Sequence, residues 1–157
     1  LDFQQKLEAY KVSLIAAAEA TKAETELRKS IALKFSENEF DRLTRLEFVV
    51  SPIAADMLAR GCMPSASKTA AAKGEMVEAV QRLVRASEEA EMFLSLDLER
   101  ELLELRAALI AYWQEHLGPG MPVSARGQPL HDNVLACSFR VKPALRARIK
   151  ELGSIAR

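Results

Sequence analysis

The chain has 157 residues, of which 49% are hydrophobic and 28% charged, and its 22 basic and 22 acidic side chains cancel at neutral pH. That length suits a single domain able to bury a core without staples, and that apolar share excludes global disorder. A net charge of zero excludes steering of the whole molecule toward nucleic acid or an anionic membrane. The apolar fraction is rich in Ala and Leu, against one Trp and two Tyr, so helix formers outnumber the β-branched and aromatic residues that strands prefer. Nothing in this composition calls for a cofactor or a structural metal.

The first periodic segment carries Phe3, Leu7, Tyr10, Leu14, Ala17 and Thr21. Alternating steps of four and three keep these positions on one helix face, the spacing of a coiled-coil seam. A polar segment from Glu19 to Glu26 interrupts the stripe, which resumes, shifted, at Leu27, Ile31 and Phe35. Such a skip rotates the buried face without ending the helix. The run Ser36-Glu37-Asn38-Glu39-Phe40-Asp41 reads either as a new capping box, with Ser36 answered by Glu39, or as an exposed turn of one continuous helix. Continuity is the preferred reading. A third stripe holds Leu43, Leu46, Val50, Ile53 and Met57, with Pro52 inside it, where the ring removes a backbone donor and is expected to kink the helix or open a new one. A single helix over residues 3–50 would be about 70 Å long, more than a compact domain of this size needs, so a partner along its length is expected.

Gly61 to Ser67, which includes Cys62 and Pro64, is the first loop and implies a helical hairpin. The second block presents Met76, Val80, Leu83, Ala90 and Leu94, widened by Val77 and Val84, with acids opposite. Ser95 stands before Leu96-Asp97-Leu98-Glu99, a cap followed by acids that suit the positive end of a helix. The cleanest stripe follows: Leu98, Leu102, Leu105, Leu109, Tyr112 and His116, with Leu103, Ile110, Trp113 and Leu117 adjoining. This helix is expected at the centre of the core.

Residues 118–133 contain three Gly and three Pro and read as a loop, long enough to be mobile or functional. Val134 to Phe139 is apolar and of ambiguous type, and Pro143 is expected to open a last helix that Gly153 stops. The predicted architecture is an all-α protein: an elongated antiparallel helical bundle with a long N-terminal amphipathic helix. Residues 1–117 form the bundle, 118–133 the Pro/Gly loop, and 134–157 a short helical segment packing on the same domain.

Chemistry-bearing residues are few. His116 and His131 sit in no pattern that places two metal ligands on one helical face, and His116 reads as a core-stripe histidine at a helix C-terminus. Cys62 and Cys137 lack C-x-x-C spacing, which argues against zinc and leaves a long-range bridge open. Cys137 could act as a nucleophile only if folding brought a histidine close, and a small buried hydrophobe is the plainer reading. Arg126 and His131 form an R-x4-H pattern that resembles the motif of HEPN-type helical ribonucleases, a resemblance covering six residues and implying an RNA-cleaving pair on one helix. Gly127 and Pro129 fall between them, which speaks against a helix there.

Charge is unevenly spread. Residues 75–104 hold nine acids and three bases, and residues 138–157 hold six bases and one acid. The two segments can pair internally. Alternatively, Arg140, Lys142, Arg146, Arg148 and Lys150 form an anion-binding surface for the phosphates of a nucleic acid or an anionic membrane. Phe139 alone offers stacking, too little for base recognition.

Three functions are compatible with these residues. Foremost is a non-enzymatic helical interaction or scaffolding module, forming a homo-oligomer or binding a helical protein partner through the N-terminal stripe. Second is a ligand-sensing or regulatory domain of a membrane-tethered bacterial protein, since the chain starts at Leu1 rather than Met and no run reaches the roughly 18 to 20 apolar residues of a span. Third is a small RNA-acting enzyme built on Arg126, His131 and Cys137. The cytoplasm, or the cytoplasmic face of a membrane, is the preferred location.

Overall fold

The computed structural model describes residues 2–61, 70–116 and 127–155, and every secondary-structure element among them is helical. The elements are α1 (Phe3–Gly61), α2 (Ala70–Ala90), a 3-10 turn (Glu91–Phe93), α3 (Leu96–His116) and α4 (Gly127–Ile155). The protein is therefore an all-α bundle with a long N-terminal helix. By contact density the chain divides into Leu1–Asn38 and Glu39–Arg157.

α1 is helical throughout residues 36–41 and across Pro52, so the continuous reading of that segment is correct and no new helix starts at the proline. The reason lies in which face carries the ring. Pro52 is exposed, and so is Phe48, whose carbonyl it leaves without a helical donor; a freed carbonyl on the wet side of a helix can bond to water instead.

The second unit buries the third stripe as expected: Leu43, Leu46, Val50, Ile53 and Met57 of α1 all lie in the core, joined by Ala54 and Leu58. Arg60 pairs with Glu75 at 2.6 Å and Arg42 with Glu89 at 3.1 Å. Rising numbers on α1 meet falling numbers on α2, which makes the two an antiparallel hairpin. α2 contributes Met76, Ala79, Leu83 and Ala90, with Val80 packed at the margin and Val77 left exposed.

Between α2 and α3 the chain tightens. Leu94 N–H donates to the Glu91 carbonyl, Ser95 Oγ accepts from Leu98 N–H at 3.2 Å, and the Ser95 carbonyl accepts from Glu99 N–H at 2.9 Å. Ser95 is thus a working N-cap, satisfying donors that the first turn leaves without helical partners. α3 buries Leu98, Leu102, Leu105, Ala108, Leu109 and Tyr112, the predicted stripe up to Tyr112 with one alanine added; Leu103 of the adjoining face is exposed, and the side chain of His116 and the whole of Leu117 lie outside what is described. The helix packs against α2 and α4 and reaches α1 through the Tyr112 hydroxyl, which donates to the Leu58 carbonyl at 3.4 Å within the core.

The C-terminal third differs from expectation. α4 starts at Gly127, so residues 127–133 of the anticipated loop are helical, and the short helix expected from Pro143 is the second half of a longer one. Gly127 is the first residue of α4 and Pro129 sits in its first turn, where the missing proline donor breaks no helical bond. Pro143 is exposed, as is Phe139 four residues earlier, repeating the wet-side arrangement of Pro52. Gly153 does not end the helix either, which continues to Ile155. The buried face of α4 is Val134, Cys137, Ser138, Val141, Leu145 and Leu152, so the ambiguous segment from Val134 to Phe139 is part of an amphipathic helix. Residues 118–126, and the loop that includes Cys62, lie outside the described residues.

Candidate functional site

Among the described residues, His131 and Cys137 lie on different faces of α4. His131 lies on the second turn of α4 with its ring Nδ1 3.3 Å from Asp132 Oδ1. Cys137 is six residues further along, about 120° away around the helix, and its near neighbours are Asn133 Oδ1 at 3.8 Å and an Arg140 guanidinium nitrogen at 3.3 Å. Burial raises the Cys137 thiol above its ordinary value; Arg140 pulls it down, and Glu104 and Glu101 push it up. A thiol held protonated is a weak nucleophile. Arg126 lies outside the described residues, so the R-x4-H pair has no geometry to test. The helical objection to it does not hold from Gly127 onward, because that segment is the start of α4.

The basic C-terminal side chains are largely engaged by carboxylates. Arg140 bonds Glu101 at 2.8 Å and Glu104 at 3.2 Å, joining the acidic and basic segments between α4 and α3. Arg146 turns instead to α1, donating to Glu47 at 3.0 Å and to the Ser51 hydroxyl at 3.2 Å. Arg148 bridges Glu39 at 2.9 Å and Glu151 at 3.2 Å, and these two carboxylates raise its pKa. Of the proposed anion-binding set only Lys142 and Lys150 have no ion pair among the described residues, while the paired Arg140, Arg146 and Arg148 remain 47%, 60% and 40% exposed.

No group of three or more His, Cys, Asp or Glu side chains with metal-binding placement occurs among the described residues. The α2–α3 groove, with a volume of about 260 Å³, has an apolar floor of Leu83, Leu94 and Leu102 and acids Glu88, Glu91 and Glu99 at its edge. No helix among the described residues is long and apolar enough to cross a membrane.

The first unit presents many exposed apolar side chains. Every residue from Asp2 to Phe35 is exposed, including Phe3 (78%), Tyr10 (62%), Leu14 (52%) and Ile31 (60%). Ala-rich stretches such as Ala16-Ala17-Ala18 give this segment high intrinsic helicity, and its i,i+4 ion pair between Arg28 and Glu24 at 2.7 Å adds support. Phe3, Leu7, Tyr10, Leu14, Ile31 and Phe35 fall on the spacing of a packing seam, while Val12, Ile15, Leu27 and Leu33 lie off it. These apolar side chains are divided by the polar seam positions Thr21, Glu24 and Arg28. Comparison with protein-family models, with curated protein sequences and with solved structures finds no match to this chain.

Proposed function

We propose that this protein is a non-enzymatic helical interaction module that self-associates through the exposed stripe running from Phe3 to Phe35. The observation that carries the reading is that the residues from Asp2 to Phe35 are exposed while Phe3, Leu7, Tyr10 and Leu14, and again Ile31 and Phe35, fall on one 4-3 seam. Covering a Leu or Phe side chain is worth about 1.5–3 kcal/mol when burial is complete, so Phe3, Leu7, Tyr10 and Leu14 together supply a substantial drive to pair. The second unit provides the folded body, whose buried core, among the described residues, begins at Leu43. The placement of His131 and Cys137 on different faces of α4 is consistent with a binding rather than a catalytic role.

The test is solution mass by light scattering across a dilution series, for the parent and for a Leu7→Asp, Leu14→Asp double variant. The parent should be oligomeric and the variant monomeric, with an unchanged thermal transition for the second unit. A parent that stays monomeric at hundred-micromolar concentration overturns the proposal.

A further inference from the structure

We infer that the N-terminal helices of two copies pair antiparallel, centred on Glu19, an inference that rests on the self-association proposed above. In heptad terms Phe3, Tyr10, Ala17, Glu24 and Ile31 occupy one seam position, and Leu7, Leu14, Thr21, Arg28 and Phe35 the other. The seam therefore contains one acid and one base, both exposed and both on a helix unbroken through this region.

A parallel, in-register pair sets each seam residue against its own copy. Glu24 would then face a second Glu24, and Arg28 a second Arg28, in adjacent layers, and like charges juxtaposed in an interface are strongly unfavourable. Lys6 and Lys11 would also meet across the flank of such a pair, where the position before one seam residue approaches the position after the next. Antiparallel pairing places the two seam positions opposite each other. Centred on Glu19, it matches Leu7 with Ile31, Phe3 with Phe35 and Ala17 with Thr21, so large meets large at both ends and small meets small in the middle. Glu24 then lies beside Leu14, and Arg28 beside the ring of Tyr10, where a guanidinium gains a cation–π contact. Both charges keep the Arg28–Glu24 pair at 2.7 Å within their own helix. The flank is not free of cost, since Lys6 then approaches Lys34, but these are rim positions open to water and salt.

The polar interruption from Glu19 to Glu26 thus acquires a role. It specifies orientation, as charged seam residues do when they admit one alignment and penalise another.

The test replaces Phe3 by the photoreactive analogue benzoylphenylalanine in the full-length protein, mixes isotopically heavy and light copies, irradiates, and maps the cross-linked peptides by mass spectrometry. Links from position 3 to a peptide containing Ile31 or Phe35 are expected. Within one helix Ile31 and Phe35 are about 42 and 48 Å from position 3, so such a link can form only between copies. Glu24→Leu, Arg28→Leu in the same background should increase the share of links to the partner's residues 2–10, because the charge conflict that excludes the parallel pair is gone. Links from the parent confined to residues 2–10, in a protein whose mass is dimeric, overturn the antiparallel arrangement and leave self-association standing. A monomeric mass with no links between copies overturns both.

Discussion

Glu39 is a buried charge, its side chain only 8% exposed, and it pairs with Arg148 at 2.9 Å. Removing that partner leaves a buried carboxylate without its counter-charge, so Arg148→Ala should destabilise the fold by about 1–3 kcal/mol. Glu39→Ala should cost less, because Arg148 is 40% exposed and keeps Glu151. Urea denaturation of the two variants checks the ordering. Cys137 permits a second residue-scale prediction. Its thiol pKa is raised mainly by burial, so the unfolded chain loses this proton at lower pH than the folded one. The stabilisation is therefore complete below the ordinary thiol value of about 8.5 and is lost as pH rises through the folded-state value. Between pH 7.5 and 10 the parent's denaturation midpoint should fall more steeply than that of Cys137→Ala, and a thiol reagent should modify Cys137 slowly until denaturant is added. The small-hydrophobe reading of Cys137 was legible because a cysteine with no histidine at a useful spacing has little else to do. The partners of Arg146 and Arg148 were not legible, since they lie on α1, about a hundred residues away in sequence.

At the scale of the element, α3 depends on its cap and its stripe. Ser95→Ala removes the acceptor for Leu98 N–H and should cost about 1 kcal/mol. Leu105→Ala opens a cavity at a fully buried position and should cost about 2–5 kcal/mol. Thermal unfolding followed by far-UV circular dichroism distinguishes the two magnitudes. Both features were readable beforehand, since a serine before Asp97 and Glu99 and a leucine every three or four residues are local signals. α4 was readable only in part. Local rules assign Gly127, Pro129 and Pro143 to a loop and a helix start, yet α4 runs through Pro143 with its proline on the wet side and six residues buried on the other. Packing of that apolar face outweighs one lost backbone bond.

For the whole molecule, the buried core begins at Leu43 and the first 38 residues form their own unit. A chain beginning at Glu39 should therefore fold cooperatively, keep the thermal transition of the parent to within a few degrees, and lose the ability to associate; calorimetry and light scattering read these outcomes. By itself the sequence determined helix type, the face each of α1, α2 and α3 buries, and the cap at Ser95, because periodicity and capping act over three or four residues. Tertiary structure alone decided which carboxylates neutralise the C-terminal arginines and that α4 is one helix, because these depend on what lies opposite in space. It also distinguished two stripes that look alike in sequence. Leu43, Leu46, Val50, Ile53 and Met57 lie in the core of the second unit, whereas Phe3, Tyr10, Leu14 and Ile31 are exposed, and burial is a property of the neighbour rather than of the helix that seeks one.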